Sequence, residues 1–309
     1  MSSVNINRLM YLSSSLSGVL LRLKSQRASL WVRFFMGALF MSSVASAQSS
    51  VPQIVSLERG SSFEERHQSL HALTLGELIA AQEDLFVFMT QVAPPDGMAR
   101  DQYFSLTNDV YDLFVSHGIK PQQLLMHAIQ TIPDAQVDIV WRDYCVQKLS
   151  VSLLSDEISL EVYDAGYQLL NQLVIGSFPD LQGSALIVAC EIRTHDLRQS
   201  MPSFLTAKSL GQVALACARN EACPLIDRVT ALQVAARFRS SGTLEFVNTL
   251  LREELSEAPV MLKVSAIAAL GELGNSSDLE TLQNFRKSSD IRFRTASRVA
   301  LNKIEERTL

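Results

Sequence analysis

The end of this chain repeats itself, and that limits the folds open to it more than any other feature. Arg228-Val229-Thr230-Ala231-Leu232-Gln233-Val234-Ala235-Ala236-Arg237-Phe238 can be laid on Lys263-Val264-Ser265-Ala266-Ile267-Ala268-Ala269-Leu270-Gly271-Glu272-Leu273, 35 residues later. A basic residue, a Val, a hydroxyl, an Ala and a branched aliphatic match in order. Arg294-Thr295-Ala296-Ser297-Arg298-Val299-Ala300-Leu301 fits again, with Ala300-Leu301 falling 31 residues after Ala269-Leu270. One unit of this length cannot bury its own apolar face, so units with such a period stack as helical hairpins.

The residue types suit that packing. Ala231, Ala266, Ala269, Gly271 and Ala300 are small enough to let helices approach closely. Leu270, Leu273 and Leu301 supply the apolar side, and Leu270 and Leu273 stand three apart, on one helical face. Gly274 follows where a helix commonly ends in a left-handed residue. Asn275, Ser276 and Ser277 then supply a turn and an N-cap. The partner helix points Leu279, Leu282 and Phe285 back to the core. Ser240-Ser241-Gly242-Thr243 does the same job in the preceding unit, and Ser288-Ser289-Asp290 opens the last unit.

Upstream the pattern is also helical. Apolar residues recur at three- and four-residue spacing from Ser61 onward, with no period-two strand. Thr74 with Glu77 has capping-box spacing and starts a helix over 75–92. Gly118 closes the helix over 103–117, and Pro121 opens another at a position that tolerates proline. Further helices are expected over 135–153, 156–173, 184–194, 207–218, 224–239, 243–255, 260–273, 278–287 and 291–307. Links of a few residues make such helices antiparallel neighbours.

Val264-x-Ala266, with Ala269-Leu270-Gly271-x-Leu273-Gly274 and a short capped helix, resembles the HEAT-like repeats of phycobilisome lyases and bacterial scaffold proteins. The likeness is clearest over 224–307. Weaker copies of the first helix stand at 140–149 and 183–190. Asn302 departs from the pattern where Gly is expected. With Arg294, Arg298, Lys303, Glu305, Glu306 and Arg307 it suits a terminal capping helix. The resemblance implies an all-α fold, a right-handed α-solenoid of stacked hairpins. An N-terminal helical segment over 61–133 precedes the repeat domain over 134–309. It also implies a non-catalytic scaffold or protein-binding module, with the exposed faces of 243–255 and 278–287 as contact surface. A structural component of an envelope assembly and a lyase-type enzyme are the alternatives.

The N-terminus reads as an export signal. Arg8, Arg22, Lys24, Arg27 and Arg33 precede the first acid, Glu58. They lead into the apolar run 34–41, which is far shorter than the roughly 20 residues a membrane helix needs. Ser42 to Ala47 follow, and Ala45 and Ala47 form a small-x-small cleavage site. Residues 1–47 are therefore expected to be a signal peptide, with a mature chain from Gln48, a flexible start over 48–60, and a periplasmic or extracellular home. Met10 offers a shorter start. Without those five cations the chain keeps 22 basic residues against 32 acids. Such a body is repelled by nucleic-acid phosphates and favours a neutral or basic protein or peptide partner.

In an oxidising compartment Cys217 and Cys223 are a candidate disulfide, clamping the end of one helix to the start of the next. Cys145 and Cys190 sit in apolar helical patterns and read as buried thiols. No catalytic, cofactor-binding or metal-ligating set is expected. His67 and His71 stand four apart with Glu64 a turn earlier, but no third ligand is close in sequence, so they read as a solvated face. His117 at a helix end suits the helix dipole. His127 and His195 have no nucleophile motif beside them. Asp156-Glu157 and Glu253-Glu254 read as solvated acids. Phe86, Phe88, Phe104, Tyr111 and Phe114 form the core of an N-terminal bundle or, alternatively, a partner groove.

Overall fold

Short polar side chains set the helix starts. Ser62 accepts a hydrogen bond from Glu65 N at 3.2 Å, while Ser62 N donates to the Glu65 carboxylate at 2.7 Å. Thr74 and Glu77 repeat that box, as their spacing predicts. Each box satisfies two helix-end N–H groups that would otherwise lack partners. The computed structural model describes residues 62–308, apart from 92, 96, 196–202 and 253–257. The expected signal peptide, its cleavage site, the 48–60 start and the Glu253-Glu254 pair all lie outside the described residues.

Fourteen α-helices occur among the described residues, and no strand. They are α1 (Phe63–His71), α2 (Leu75–Ala80), α3 (Gln82–Met89), α4 (Arg100–His117), α5 (Pro121–Thr131), α6 (Ile139–Leu153), α7 (Leu160–Val174), α8 (Gln182–His195), α9 (Ala207–Arg219), α10 (Leu225–Arg237), α11 (Thr243–Arg252), α12 (Val260–Leu273), α13 (Leu279–Arg286) and α14 (Ile291–Thr308). Short 3-10 turns occupy Pro179–Leu181, Ser203–Leu205 and Ser276–Asp278. The fold is all-α, as the sequence predicts. The single helix expected over 75–92 is instead two, with a turn at Ala81, whose N–H still donates to Glu77 O at 2.9 Å. Gly118 ends α4 in the left-handed conformation, at φ 66°.

Gly274 corrects a second expectation. It closes α12 in an extended conformation, φ −70° and ψ 172°, not a left-handed one. Its glycine identity has another cause. A Cβ there would lie 2.6 Å from Leu270 O and 2.9 Å from Asp278 Oδ2. The tight corner leads straight into the Asn275 cap, whose side chain accepts from Ser277 N at 2.8 Å.

Alternate helices stack on one another in sequence order: α6 on α8, α8 on α10, α10 on α12 and α12 on α14. The intervening helices lie against the member that follows them, α7 on α8, α9 on α10, α11 on α12 and α13 on α14. The sequence pairs α10 with α11 and α12 with α13; the closer pairs are α9 with α10 and α11 with α12. At the other end, α1 and α3 pack on α4, and α4 and α5 pack on α6. The segment over 61–133 thus joins the stack directly.

The small residues sit at the close approaches. Ala231, Ala266, Ala269 and Leu270 are fully buried, and Gly271, Ala300 and Leu301 are buried with them. Leu273 is only half-buried, contrary to its expected place beside Leu270. A Cβ on Gly271 would lie 2.7 Å from Ala300 Cα, so α12 and α14 meet nearly backbone to backbone. Gly183 does the same between α8 and α10, with Asp227 Cα 2.9 Å from its Cβ position. A polar tie joins α10 to α12. Ser265 Oγ donates to Val229 O at 3.0 Å, and Gln233 Nε2 donates to Ser265 O and Oγ at 2.8 and 2.7 Å. Each such bond contributes a net ~0.5–1.5 kcal/mol.

The basic residue of the repeat has a structural cause. Arg142, Arg228, Lys263 and Arg294 are each the fourth residue of their helix. Arg142 Nε donates to Ile132 O at 2.7 Å and Arg228 Nε to Ala218 O at 3.1 Å. Arg294 Nη1 reaches Ser288 O and Ser289 O at 2.9 and 2.7 Å. Arg142 and Arg228 thereby set a guanidinium against the carbonyl end of the preceding helix, where the helix dipole favours a cation, whereas Arg294 holds the link before its own helix. The terminal helix α14 adds Arg307, which donates to Gly271 O, Glu272 O and Gly274 O. Among the described residues no single helix is long and apolar enough to cross a membrane. Only α7 and α8 taken together pass by composition, across a bend of 104°.

Candidate functional site

The two cysteines expected to pair lie at one groove. The end of α7, the following turn, α9 and the α9–α10 link enclose about 420 Å³, lined by Ile175, Pro179, Gln182, Val213, Cys217 and Cys223 among others. Gln182 organises this wall. Its Nε2 donates to Val174 O at 2.9 Å, and its Oε1 accepts from Cys223 Sγ at 3.9 Å. Gly176, at φ 88°, leaves room for that side chain. Both cysteines are free thiols here, Cys217 buried and Cys223 half-buried. Burial first, and then the neighbouring Cys223, push the Cys217 thiol up to about 12. Little thiolate exists there at neutral pH, so Cys217 is a poor nucleophile. Cys145 and Cys190 are buried and free, as expected, and burial raises both thiols.

The surface expected to bind a partner carries the second cavity. Leu244, Glu245, Asn248 and Thr249 on α11 line about 430 Å³ of open depression. Val247, Leu250 and Leu251 of the same helix are buried, which leaves a polar outer face. On α13, Leu282 is buried while Glu280, Gln283 and Asn284 are exposed. A surface of this kind can hydrogen-bond a peptide.

The aromatic residues are core. Phe88, Tyr103, Tyr111 and Phe114 are fully buried, and Phe86 and Phe104 are half-buried. Trp141, which the sequence places only in a diverged repeat helix, is their hub. It stacks on Tyr144 with centroids 5.6 Å apart and meets Tyr111 edge-on at 6.1 Å. Cations cover the half-open rings, Lys120 over Phe86 and Arg100 over Phe104.

His127 lies beside this cluster, its ring 6.1 Å from Trp141. Burial holds it down at about 4, against 6.5 for a free imidazole. Between those values the unfolded chain takes up the proton and the folded one does not. Stability is therefore full above about pH 6.5 and falls as pH drops toward 4. The loss is expected to reach roughly 2–3 kcal/mol from this group alone. Thermal melts of the wild type and His127→Gln at about pH 7.5 and 4.5 check it: the wild type should lose more stability than the variant. Equal losses would remove His127 as the cause.

Glu191, also half-buried, is raised chiefly by burial and accepts from Ser150 Oγ at 2.7 Å, a tie between α8 and α6. His117 sits at the end of α4, as the dipole argument expects. Asp156 and Glu157 are exposed. The surprise lies at α1. His67 and His71 do not face solvent alone, because α4 brings Asp109 to both. Sequence spacing carried no sign of this, since Asp109 is 38 residues beyond His71. Compared with known proteins, the chain matches no family model, no curated protein and no solved structure.

Proposed function

We propose that the chain is an exported, non-catalytic scaffold or protein-binding module whose helices form a right-handed, HEAT-like α-solenoid. The observation that carries this reading is the ordered stacking of α6, α8, α10, α12 and α14 through small residues. A stack of that kind leaves the intervening helices to present a continuous row of outer faces. Those of α11 and α13 are polar and uncluttered by titratable clusters, which suits reversible binding of an extended peptide or a protein surface. The partner is neutral or basic, because the chain after residue 47 carries 32 acids against 22 basic residues. No nucleic acid is involved, because the same acidic excess repels phosphates. In an oxidising compartment Cys217 and Cys223 close a disulfide across the α9–α10 link, fixing one wall of the groove.

The test is recovery of the tagged chain from an exported fraction, with its N-terminus read by mass spectrometry. A start at Gln48 and a stoichiometric protein partner are expected. Glu245→Arg with Asn248→Arg should release that partner without changing the melting temperature, since exposed substitutions cost little. An intact leader on cytoplasmic protein would overturn export and disulfide together. Retention of the partner by the double variant would overturn the α11 surface.

A further inference from the structure

The structure assigns a transition-metal site to His67 and His71 of α1 and Asp109 of α4. The two histidines stand one helical turn apart, with ring centroids 4.4 Å from each other. Asp109 comes from the middle of α4, the helix on which α1 packs. Its Oδ2 lies 3.2 Å from His67 Nε2 and 3.6 Å from His71 Nε2, and one ligand atom from each residue falls within 4.8 Å of the others. Around a tetrahedral Zn²⁺ with bonds of about 2.0–2.1 Å, neighbouring ligand atoms are about 3.3 Å apart. The two measured edges bracket that value.

Asp109 Oδ2 supplies a second, independent observation. It is hidden from solvent and accepts no hydrogen bond, although two imidazole nitrogens are within 3.6 Å. A carboxylate oxygen left so costs free energy, and a cation between it and the imidazoles removes that cost. A divalent ion bound to neutral imidazoles satisfies all three groups at once.

The donor set selects the ion. Two imidazoles and one carboxylate suit Zn²⁺ and its transition-metal neighbours, whereas Mg²⁺ and Ca²⁺ call for oxygen ligands. Three protein ligands leave the remaining position to water. The two histidine side chains are 43% and 46% exposed. The ion's work is mechanical, because its ligands come from two helices that pack on each other. A helix of nine residues is marginal alone. Coordination fastens α1 to α4 and orders the edge of the molecule that follows the N-terminal stretch.

Calorimetric titration of the full chain with Zn²⁺, Mg²⁺ and Ca²⁺ tests this. One Zn²⁺ per chain is expected, with binding at least tenfold weaker in His67→Ala, His71→Ala and Asp109→Asn, and no comparable binding of Mg²⁺ or Ca²⁺. Zn²⁺ should slow amide exchange in α1 of the wild type only. A Co²⁺ spectrum free of thiolate bands should separate this site from the four cysteines. Equal affinity in the wild type and the histidine variants, absence of saturable Zn²⁺ binding, or thiolate bands would each overturn the assignment. Circular dichroism identifies any variant that fails to fold, and His71→Ala, at an exposed position, carries the test if Asp109→Asn does.

Discussion

Trp141→Ala is expected to destabilise the protein by about 3–5 kcal/mol, the usual cost of truncating a buried aromatic. Trp141 is 5% exposed. Its ring is shared by three helices: Phe104 and Tyr111 come from α4, His127 from α5, and Tyr144 from α6 itself. Deleting it opens a cavity where α4, α5 and α6 meet, and the fixed rings around it cannot collapse far. Trp141→Phe should cost less, since it keeps a ring at the hub. Urea unfolding followed by far-ultraviolet circular dichroism measures both. The experiment also separates the two readings the sequence allows for the aromatic region. A core hub gives the large loss with a cooperative transition. A loss under about 1 kcal/mol would place the aromatics at a partner groove instead. In a chain cut after Ala47 Trp141 is the lone tryptophan, because the other is Trp31. Its fluorescence then reports on this cluster alone.

What could be read from the sequence, and what could not, follows the range of each interaction. Local signals are legible. The Thr74–Glu77 box, the Gly118 stop and the Pro121 start depend on residues within a turn of one another, and each is found where expected, whereas Asn275 caps the 3-10 turn Ser276–Asp278 that leads into α13 and not α13 itself. Periodicity gives the all-α class, and the 35-residue echo marks residues that come to lie where helices meet. The echo does not say what each residue does. The matched basic residue belongs to a helix-end hydrogen bond, and Leu273 falls partly outside the interface that Leu270 occupies. Nor does periodicity say which neighbour a helix lies closer to, because both links of α10 are short. Least legible is what two distant helices bring together. His67 and His71 announce a shared face, but their carboxylate arrives from α4, and no pattern around Asp109 points back to them. Trp141 likewise looks like one more apolar position until α4 and α5 are packed around it.

Gly271→Ala should destabilise the protein by about 1–3 kcal/mol, and the sign is the informative aspect. In an ordinary helix interior the same change gains up to about 1 kcal/mol from helix propensity. Here the new Cβ would meet Ala300 Cα at 2.7 Å and Ala300 Cβ at 2.8 Å. One of those atoms is backbone, so α14 must move. Arg307 opposes the movement, because it holds α14 to the carbonyls of Gly271, Glu272 and Gly274. Separating the helices by a few tenths of an ångström strains those bonds as well as the packing. Ala300→Gly relieves the clash with the side-chain carbon but leaves the clash with the backbone carbon. In the Gly271→Ala background it should therefore recover some of the loss, and a double-mutant cycle reads the coupling. Gly76 is the control, since a Cβ there meets nothing within 4 Å. Gly76→Ala should be neutral or stabilising by the propensity argument alone. If Gly271→Ala behaves like Gly76→Ala, α12 and α14 do not meet backbone to backbone. The small residues of the repeat would then be an incidental pattern, and the stacked-hairpin reading would lose the close approach on which it chiefly rests.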